Sequence, residues 1–254
     1  MKITPPLKLA CVRFTSCSGC QLMLVNCESS LAALAEVVVL ESFPLVSSAC
    51  GNHELIDVVL VEGALSTPSE IERLLAIRRK SRLLVAVGAC ALTGGVNTLV
   101  KGERRKSLQT IYGAPGAAWD SFPPQPVGAF VKVDGRIPGC PPERQELVES
   151  LAAILHGGWP GRQVMPVCME CRSNENRCLL TEDHAPCLGP VTIAGCNALC
   201  PGLGVPCEGC RGGVAEANRD ELCRLLIETN LSEQQIRHRL ERFGEAPYGH
   251  QADR

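Results

Sequence analysis

The chain has 254 residues, 45% of them hydrophobic and 20% charged, with a formal net charge of -2 and sixteen cysteines. That length builds one large domain or two small ones. The mixed charge, with no basic stripe, argues against a nucleic-acid partner. No apolar run reaches the roughly 18–20 residues that span a bilayer, and Met1–Leu7 has no apolar stretch or twin arginine, so the expected location is cytoplasmic. Disulfides are disfavoured there, and clustered thiols at short spacings read as metal or cluster ligands.

In chain order, Leu7–Phe14 reads as a strand and residues 19 to about 34 as a helix, with Leu22, Val25 and Leu31 on one face. Val37–Leu40 and Ile56–Val61 are β-branched runs of the kind buried on both faces of a parallel sheet. Pro68–Arg79 is a helix with proline just inside its start. Leu83–Gly88 is a further buried strand, and a Pro- and Gly-rich excursion at 113–127 reads as a loop or partner-facing arm. Ala129–Val133 is the last short strand and Glu143–Leu155 a helix. Alternating strands and helices imply βαβ units and a parallel sheet over residues 1–160.

Periodicity then stops. Eight cysteines crowd into Cys168–Cys210 with little apolar material between them, so bound metal or cluster must organise residues 161–254. Helices follow around 216–228 and 232–242, the second opened by a capping box of Ser232 and Gln235. The tail from Gly244 is expected to be mobile.

Cys17 and Cys20 follow the first strand, Cys90 follows the fourth, and Cys140 follows the last. Ligands of open parallel sheets bind beyond the carboxyl ends of the strands. Four thiolates on that rim suit a 4Fe–4S cube, which takes one sulfur per iron. Gly19, Gly88 and Gly139 would let backbone N–H groups approach it. Zinc accepts four thiolates as well, and a Cys-x-x-Cys also permits a thioredoxin-like redox pair.

Thr15-Ser16-Cys17-Ser18-Gly19-Cys20-Gln21, Val61-Glu62-Gly63-Ala64, Gly88-Ala89-Cys90-Ala91-Leu92-Thr93-Gly94-Gly95 and Pro138-Gly139-Cys140-Pro141-Pro142 resemble the small subunit of NiFe hydrogenases, in that family's order. The resemblance implies a flavodoxin-like fold and a proximal 4Fe–4S cluster on Cys17, Cys20, Cys90 and Cys140. A related subunit of complex I has two adjacent cysteines, whereas two residues separate Cys17 from Cys20, which favours hydrogenase.

Cys178–Thr192 resembles the segment leading to the family's distal cluster, and Cys207-Glu208-Gly209-Cys210 its medial Cys-x-x-Cys. The resemblance implies a distal cluster on Cys168, Cys171, Cys178 and Cys187, and a medial one on Cys196, Cys200, Cys207 and Cys210. Exported members usually have His where Cys168 stands, and many lack a ligand at the place of Cys200. Thiols at both positions favour three 4Fe–4S clusters and resemble the cytoplasmic members, of the methyl-viologen- or F420-linked and sulfhydrogenase delta kinds. An interleaved pairing, as in two-cluster ferredoxins, stays open.

The resemblance further implies a partner large subunit carrying the Ni–Fe centre and covering the face around Cys17, Cys20 and Cys140. It also implies a downstream diaphorase or ferredoxin-like subunit. This chain itself would carry no catalytic residue. The alternatives are an electron-transfer subunit of a complex I-like assembly and a zinc-stabilised scaffold.

Four cysteines are left over. Cys11 in a strand, Cys27 in a helix and Cys223 read as small buried hydrophobes, and Cys50 as a loop thiol. Glu62, ending the third strand, reads equally as a proton relay or partner contact and as a solvated or helix-capping carboxylate. His53, His156, His184, His238 and His250 lack metal-ligand spacing, and Arg104–Lys106 is a solvated charge run.

Overall fold

In the computed structural model, residues 7–28, 38–46, 55–100, 102–158 and 165–244 are described. Five parallel strands, β1 (Leu7–Arg13), β2 (Val38–Ser42), β3 (Ile56–Glu62), β4 (Ser81–Val87) and β5 (Gly135–Ile137), lie in the order β2-β1-β3-β4-β5. This is the flavodoxin-like order, whose topological switch point falls between β1 and β3.

The central strands are apolar on both faces because both faces are covered. Leu9, Cys11, Val58, Leu60, Val85 and Val87 point into one core with Leu24 of α1 (Gly19–Val25) and Leu147, Leu151 and Ile154 of α6 (Arg144–Leu155). Their alternates Ala10, Val12, Val59, Val61, Leu84 and Ala86 point into a second core with Leu74 of α2 (Pro68–Lys80) and Ala91 of α3 (Gly88–Thr93). Burying each such leucine or valine side chain contributes about 1.5–3 kcal/mol. The α2 start combines Pro68 with a Thr67–Glu70 capping box.

Three expectations need correction. The last strand is Gly135–Ile137, not Ala129–Val133, because Val131 and Val133 pack into the second core while Asp134 docks on β4. The Asp134 N–H donates to the Leu84 carbonyl at 2.8 Å, and its carboxylate accepts the Leu84 N–H at 2.9 Å. The 113–127 excursion is more ordered than a plain loop or arm. It follows α4 (Arg104–Tyr112), forms α5 (Ala114–Ala117), and then exchanges backbone bonds of 2.8 and 2.9 Å between Leu65 and Gln125. The first helix stops at Val25 rather than running to 34, so Cys27 lies just beyond it, wholly buried, with its thiol against the Met23 carbonyl at 3.2 Å. Leu31, Cys50, His53, His250 and the tail from residue 245 lie outside the described residues.

The C-terminal part holds α7 (Val167–Ser173), α8 (Leu199–Gly202), α9 (Arg219–Glu228) and α10 (Glu233–Glu241). The Ser232–Gln235 capping box is present. A third core joins Val167, Leu180, Leu188 and Val191 to Leu222, Leu226 and Ile236, with Cys187 and Cys207 inside it. Among the described residues no helix is long and apolar enough to cross a membrane.

Candidate iron–sulfur sites

The first site is built at the switch point. After β1 the chain turns through Ser18, whose φ is 67°, and starts α1 at Gly19. Glu62, the last residue of β3, accepts the backbone N–H groups of Cys20 and Gln21 at 3.3 and 3.2 Å. It is therefore a buried helix-capping carboxylate, not a solvated one. Burial pushes its pKa up, opposed by those two N–H groups, Ser16 and Arg13. Gly63 follows with φ +100°, where a Cβ would stand 2.8 Å from the Phe14 carbonyl carbon, so only glycine fits this crossing of β1 and β3.

Cys90 sits on α3, directly after β4, and Cys140 follows β5. The Ala89 N–H bonds to the Gly139 carbonyl at 2.8 Å, which fastens the Cys140 loop to the start of α3. Cys17, Cys20, Cys90 and Cys140 come within electrostatic reach of one another. Burial first, then Glu62 and the other three thiols, raise the Cys20 pKa. Burial and then Cys140, Cys17 and Glu62 push Cys90 up to about 12. Cys140 rises through burial, Cys17 and Glu62.

A second group gathers beside α7. Cys168 is pushed up to about 11 by burial and then by Cys187, Cys171 and Cys178. Cys178 lies below its ordinary value. Burial raises it, but hydrogen bonds from the Thr181 side chain and the Thr181 and Leu180 N–H groups outweigh that.

The third group holds Cys196, Cys207 and Cys210. Cys207 is pushed up to about 12, by burial against bonds from Gly209 and Thr192. Cys210 reaches about 11, by burial against the Cys140 N–H, with Cys196 also raising it. Cys200 stands exposed on α8, apart from the burial that the other three share. The groups touch in sequence. The Cys140 N–H is close enough to the Cys210 sulfur to lower its pKa, and the Cys207 N–H donates to the Cys187 sulfur at 3.3 Å.

Three residues to which sequence reasoning gave no role hold this region. Arg211 is 1% exposed and makes a bidentate pair with Glu146 of α6, at 2.5 and 2.6 Å. Glu170 of α7 accepts the N–H groups of Gly195 and Ala198 at 2.6 and 3.0 Å and so shapes the turn around Cys196. Glu208, between Cys207 and Cys210, is gripped by Arg239 and Arg242 at 2.8 and 2.5 Å. Only the Cys-x-x-Cys frame around Glu208 pointed to any of these contacts.

The donor sets fit iron–sulfur clusters. Every group is made of thiols, and backbone or amide N–H groups reach the sulfurs: Gly19 to Cys17 at 3.4 Å, and the Asn97 side chain to Cys90 at 3.4 Å. The space beside the thiols is kept by glycine. Gly88, at φ +83°, has no room for a Cβ because the Cys20 sulfur occupies the place. A Cβ on Gly189 would stand 3.3 and 3.5 Å from the Cys168 and Cys187 sulfurs. Among the described residues no three His, Cys, Asp or Glu side chains converge tightly enough for a single metal ion.

Residues 17–154 match the family of the 20 kDa subunit of NADH ubiquinone oxidoreductase. The sulfhydrogenase 2 subunit delta of Pyrococcus furiosus is 36% identical over 237 residues, covering 93% of this chain and 99% of that one. One subunit of the vhu F420-non-reducing hydrogenase of Methanocaldococcus jannaschii is 31% identical over 240 residues, covering 83% of each chain. A solved NAD+-reducing [NiFe]-hydrogenase in its H2-reduced state superposes with a TM-score of 0.53 at 29% identity, covering 62% of this chain and 95% of that chain. The chain belongs to the small-subunit family of NiFe hydrogenases, oxidoreductases whose active site lies on a separate large subunit.

Proposed function

We propose that this chain carries three 4Fe–4S clusters and relays electrons between the Ni–Fe centre of a partner large subunit and a downstream diaphorase or ferredoxin-like subunit. The observation that carries this reading is the stepwise contact of three thiol groups. The Cys140 N–H of the first group approaches the Cys210 sulfur of the third, and the Cys207 N–H of the third donates to the Cys187 sulfur of the second. The proximal cluster would sit on Cys17, Cys20, Cys90 and Cys140, and the medial one on Cys196, Cys200, Cys207 and Cys210. The distal cluster would sit on Cys168, Cys171, Cys178 and Cys187, whose mutual approach supports this pairing over an interleaved one. A 4Fe–4S cluster, when bound, takes up and releases one electron at a time.

The chain's own residues place the sulfurs and aim N–H groups at them. Burial makes free thiols costly to ionise here, so iron would have to displace their protons. Cys17 is exposed, and the exposed apolar side chains Leu22, Val96 and Leu99 lie on α1 and on the turn after α3. These support a large-subunit face at this end. We place the boundary between a sheet domain, 1–160, and a cluster domain, 161–254, in the segment before α7, and the complex in the cytoplasm.

The second reading is an electron-transfer subunit of a complex I-like assembly, favoured by the family match over residues 17–154. Purification with native partners, followed by nickel, iron, zinc and acid-labile sulfide analysis and by electron paramagnetic resonance under H2, separates the readings. The hydrogenase reading expects nickel in the complex and three four-iron signals that H2 reduces. Iron and sulfide without nickel would favour the complex I-like subunit. Zinc without sulfide would rule out both.

A further inference from the structure

Among the described residues Arg211 is the largest fully buried side chain, and it follows directly on Cys210. Its guanidinium uses nearly its whole donor fork. Nε donates to the Ile193 and Ala194 carbonyls at 3.0 Å each. Nη1 donates to the Pro138 carbonyl at 3.1 Å and to Glu146 at 2.5 Å, and Nη2 donates to Glu146 at 2.6 Å. Three segments therefore meet on one side chain: the turn before Cys196, the loop before Cys140, and α6 of the sheet.

A buried cation is costly without strong partners, and an arginine cannot shed its proton to escape that cost. Glu146 balances part of the charge. The remaining charge lies beside the two thiols: Nη2 occupies the place of a Cβ on Gly195, the residue before Cys196, and Cys210 is the residue before Arg211. Glu170, which accepts the N–H groups of Gly195 and Ala198 on either side of Cys196, places an opposite charge there. Salt screens such a buried charge far less than a surface one.

The geometry points to Arg211 as a positioning residue for the middle cluster, holding Cys196 and Cys210 against the Cys140 loop and raising that cluster's reduction potential. This rests on the three-cluster reading proposed above. The reduced cluster carries one more negative charge than the oxidised one, so a fixed cation beside its sulfurs favours the reduced form. The Pro138 contact gives the same side chain a mechanical role, because it ties the first and middle thiol groups into one frame.

The test is a potentiometric titration, followed by electron paramagnetic resonance, of the complex purified with its native partners. The middle signal is identified as the one lost in Cys210→Ser. Arg211→Gln is expected to weaken reduction of the middle cluster about tenfold, a fall of about 59 mV for a one-electron couple, while the other two signals move less. Arg211→Lys keeps the charge but loses the bidentate fork, and its potential is expected to fall between those of the wild type and Arg211→Gln. Glu146→Gln removes the balancing carboxylate and is expected to raise the middle potential. An unchanged middle potential in Arg211→Gln overturns the inference, as does an Arg211→Lys potential as low as that of Arg211→Gln. Should Arg211→Gln fail to hold its iron, Glu146→Gln decides, and no rise there overturns the inference. A wild-type complex with iron, sulfide and two signals from the other thiol groups, but no middle signal, overturns the three-cluster reading itself.

Discussion

Glu62 reaches from the end of β3 to the first turn of α1, where its carboxylate accepts the Cys20 N–H at 3.3 Å. The same carboxylate takes the Gln21 N–H, so one buried side chain fixes both the start of the helix and the place of a candidate ligand. Hydrogen bonds to a charged group contribute about 1.5–3 kcal/mol. Glu62→Ala should therefore lower stability by about 2 kcal/mol and reduce iron retention at the first site. Glu62→Gln, which keeps one acceptor oxygen, should lose less. Thermal unfolding of each variant, with iron content measured alongside, checks the order; equal losses in the two would show that the oxygen kept by glutamine contributes nothing.

Gly88 offers a sharper perturbation. Its φ of +83° disfavours any side chain, and the Cys20 sulfur already occupies the position of a Cβ. Gly88→Ala should displace that sulfur and remove the iron of one cluster while leaving the cysteine-rich part loaded. Iron and sulfide analysis of the purified variant reads this directly. Full wild-type iron content would mean that the loop yields more easily than its contacts indicate.

Stripping the iron should act unevenly along the chain. The sheet has two cores of its own, whereas residues 165–213 share a single smaller core in which two candidate ligands, Cys187 and Cys207, are themselves packed. After chelation under reducing conditions, amide hydrogen exchange should rise across 165–213 first, with β1, β3 and β4 still protected. Simultaneous loss of protection in both parts would contradict separate cores.

The thiols outside the three groups make a chemical prediction. Burial and then Glu62 push Cys11 up to about 12. At pH 8 the thiolate is then roughly one part in ten thousand, since only the deprotonated form is the nucleophile. Reactivity should increase as pH rises toward that value and be lost as it falls. Cys27 has no exposed surface. Both should resist alkylation of the native protein at pH 8 and react after denaturation, while Cys223, half-buried on α9, reacts first. Mass mapping of alkylated peptides gives the order.

Much of this arrangement was legible in the sequence, for identifiable reasons. β1, β3 and β4 are runs buried on both faces, so their residues are apolar without interruption, and Cys17, Cys20 and Cys90 could be placed at their ends. β5 was not legible because its three residues, Gly135-Arg136-Ile137, carry too little pattern, while the apolar pair Val131 and Val133 nearby fills a core without pairing. Arg211 was missed because an arginine beside a Cys-x-x-Cys normally reads as surface, and its partner Glu146 lies 65 positions away. Glu170 was missed for the same reason: its role lies in two backbone N–H groups, which no residue type announces. Cys200 was placed by resemblance alone, and its exposure sets it apart from its three neighbours.

The contact between α10 and α3 bears on the order of events during synthesis. The Thr93 hydroxyl, on the helix that carries Cys90, bonds to the Ala89 carbonyl at 2.8 Å and also to the carbonyl of Phe243. The ribosome releases Thr93 150 residues before Phe243, so this latch forms only after the cysteine-rich segment between them has been made. A chain stopped after Glu241 should take up its first iron as fast as the full chain but surrender it to a chelator sooner. Identical release from both would place the latch elsewhere.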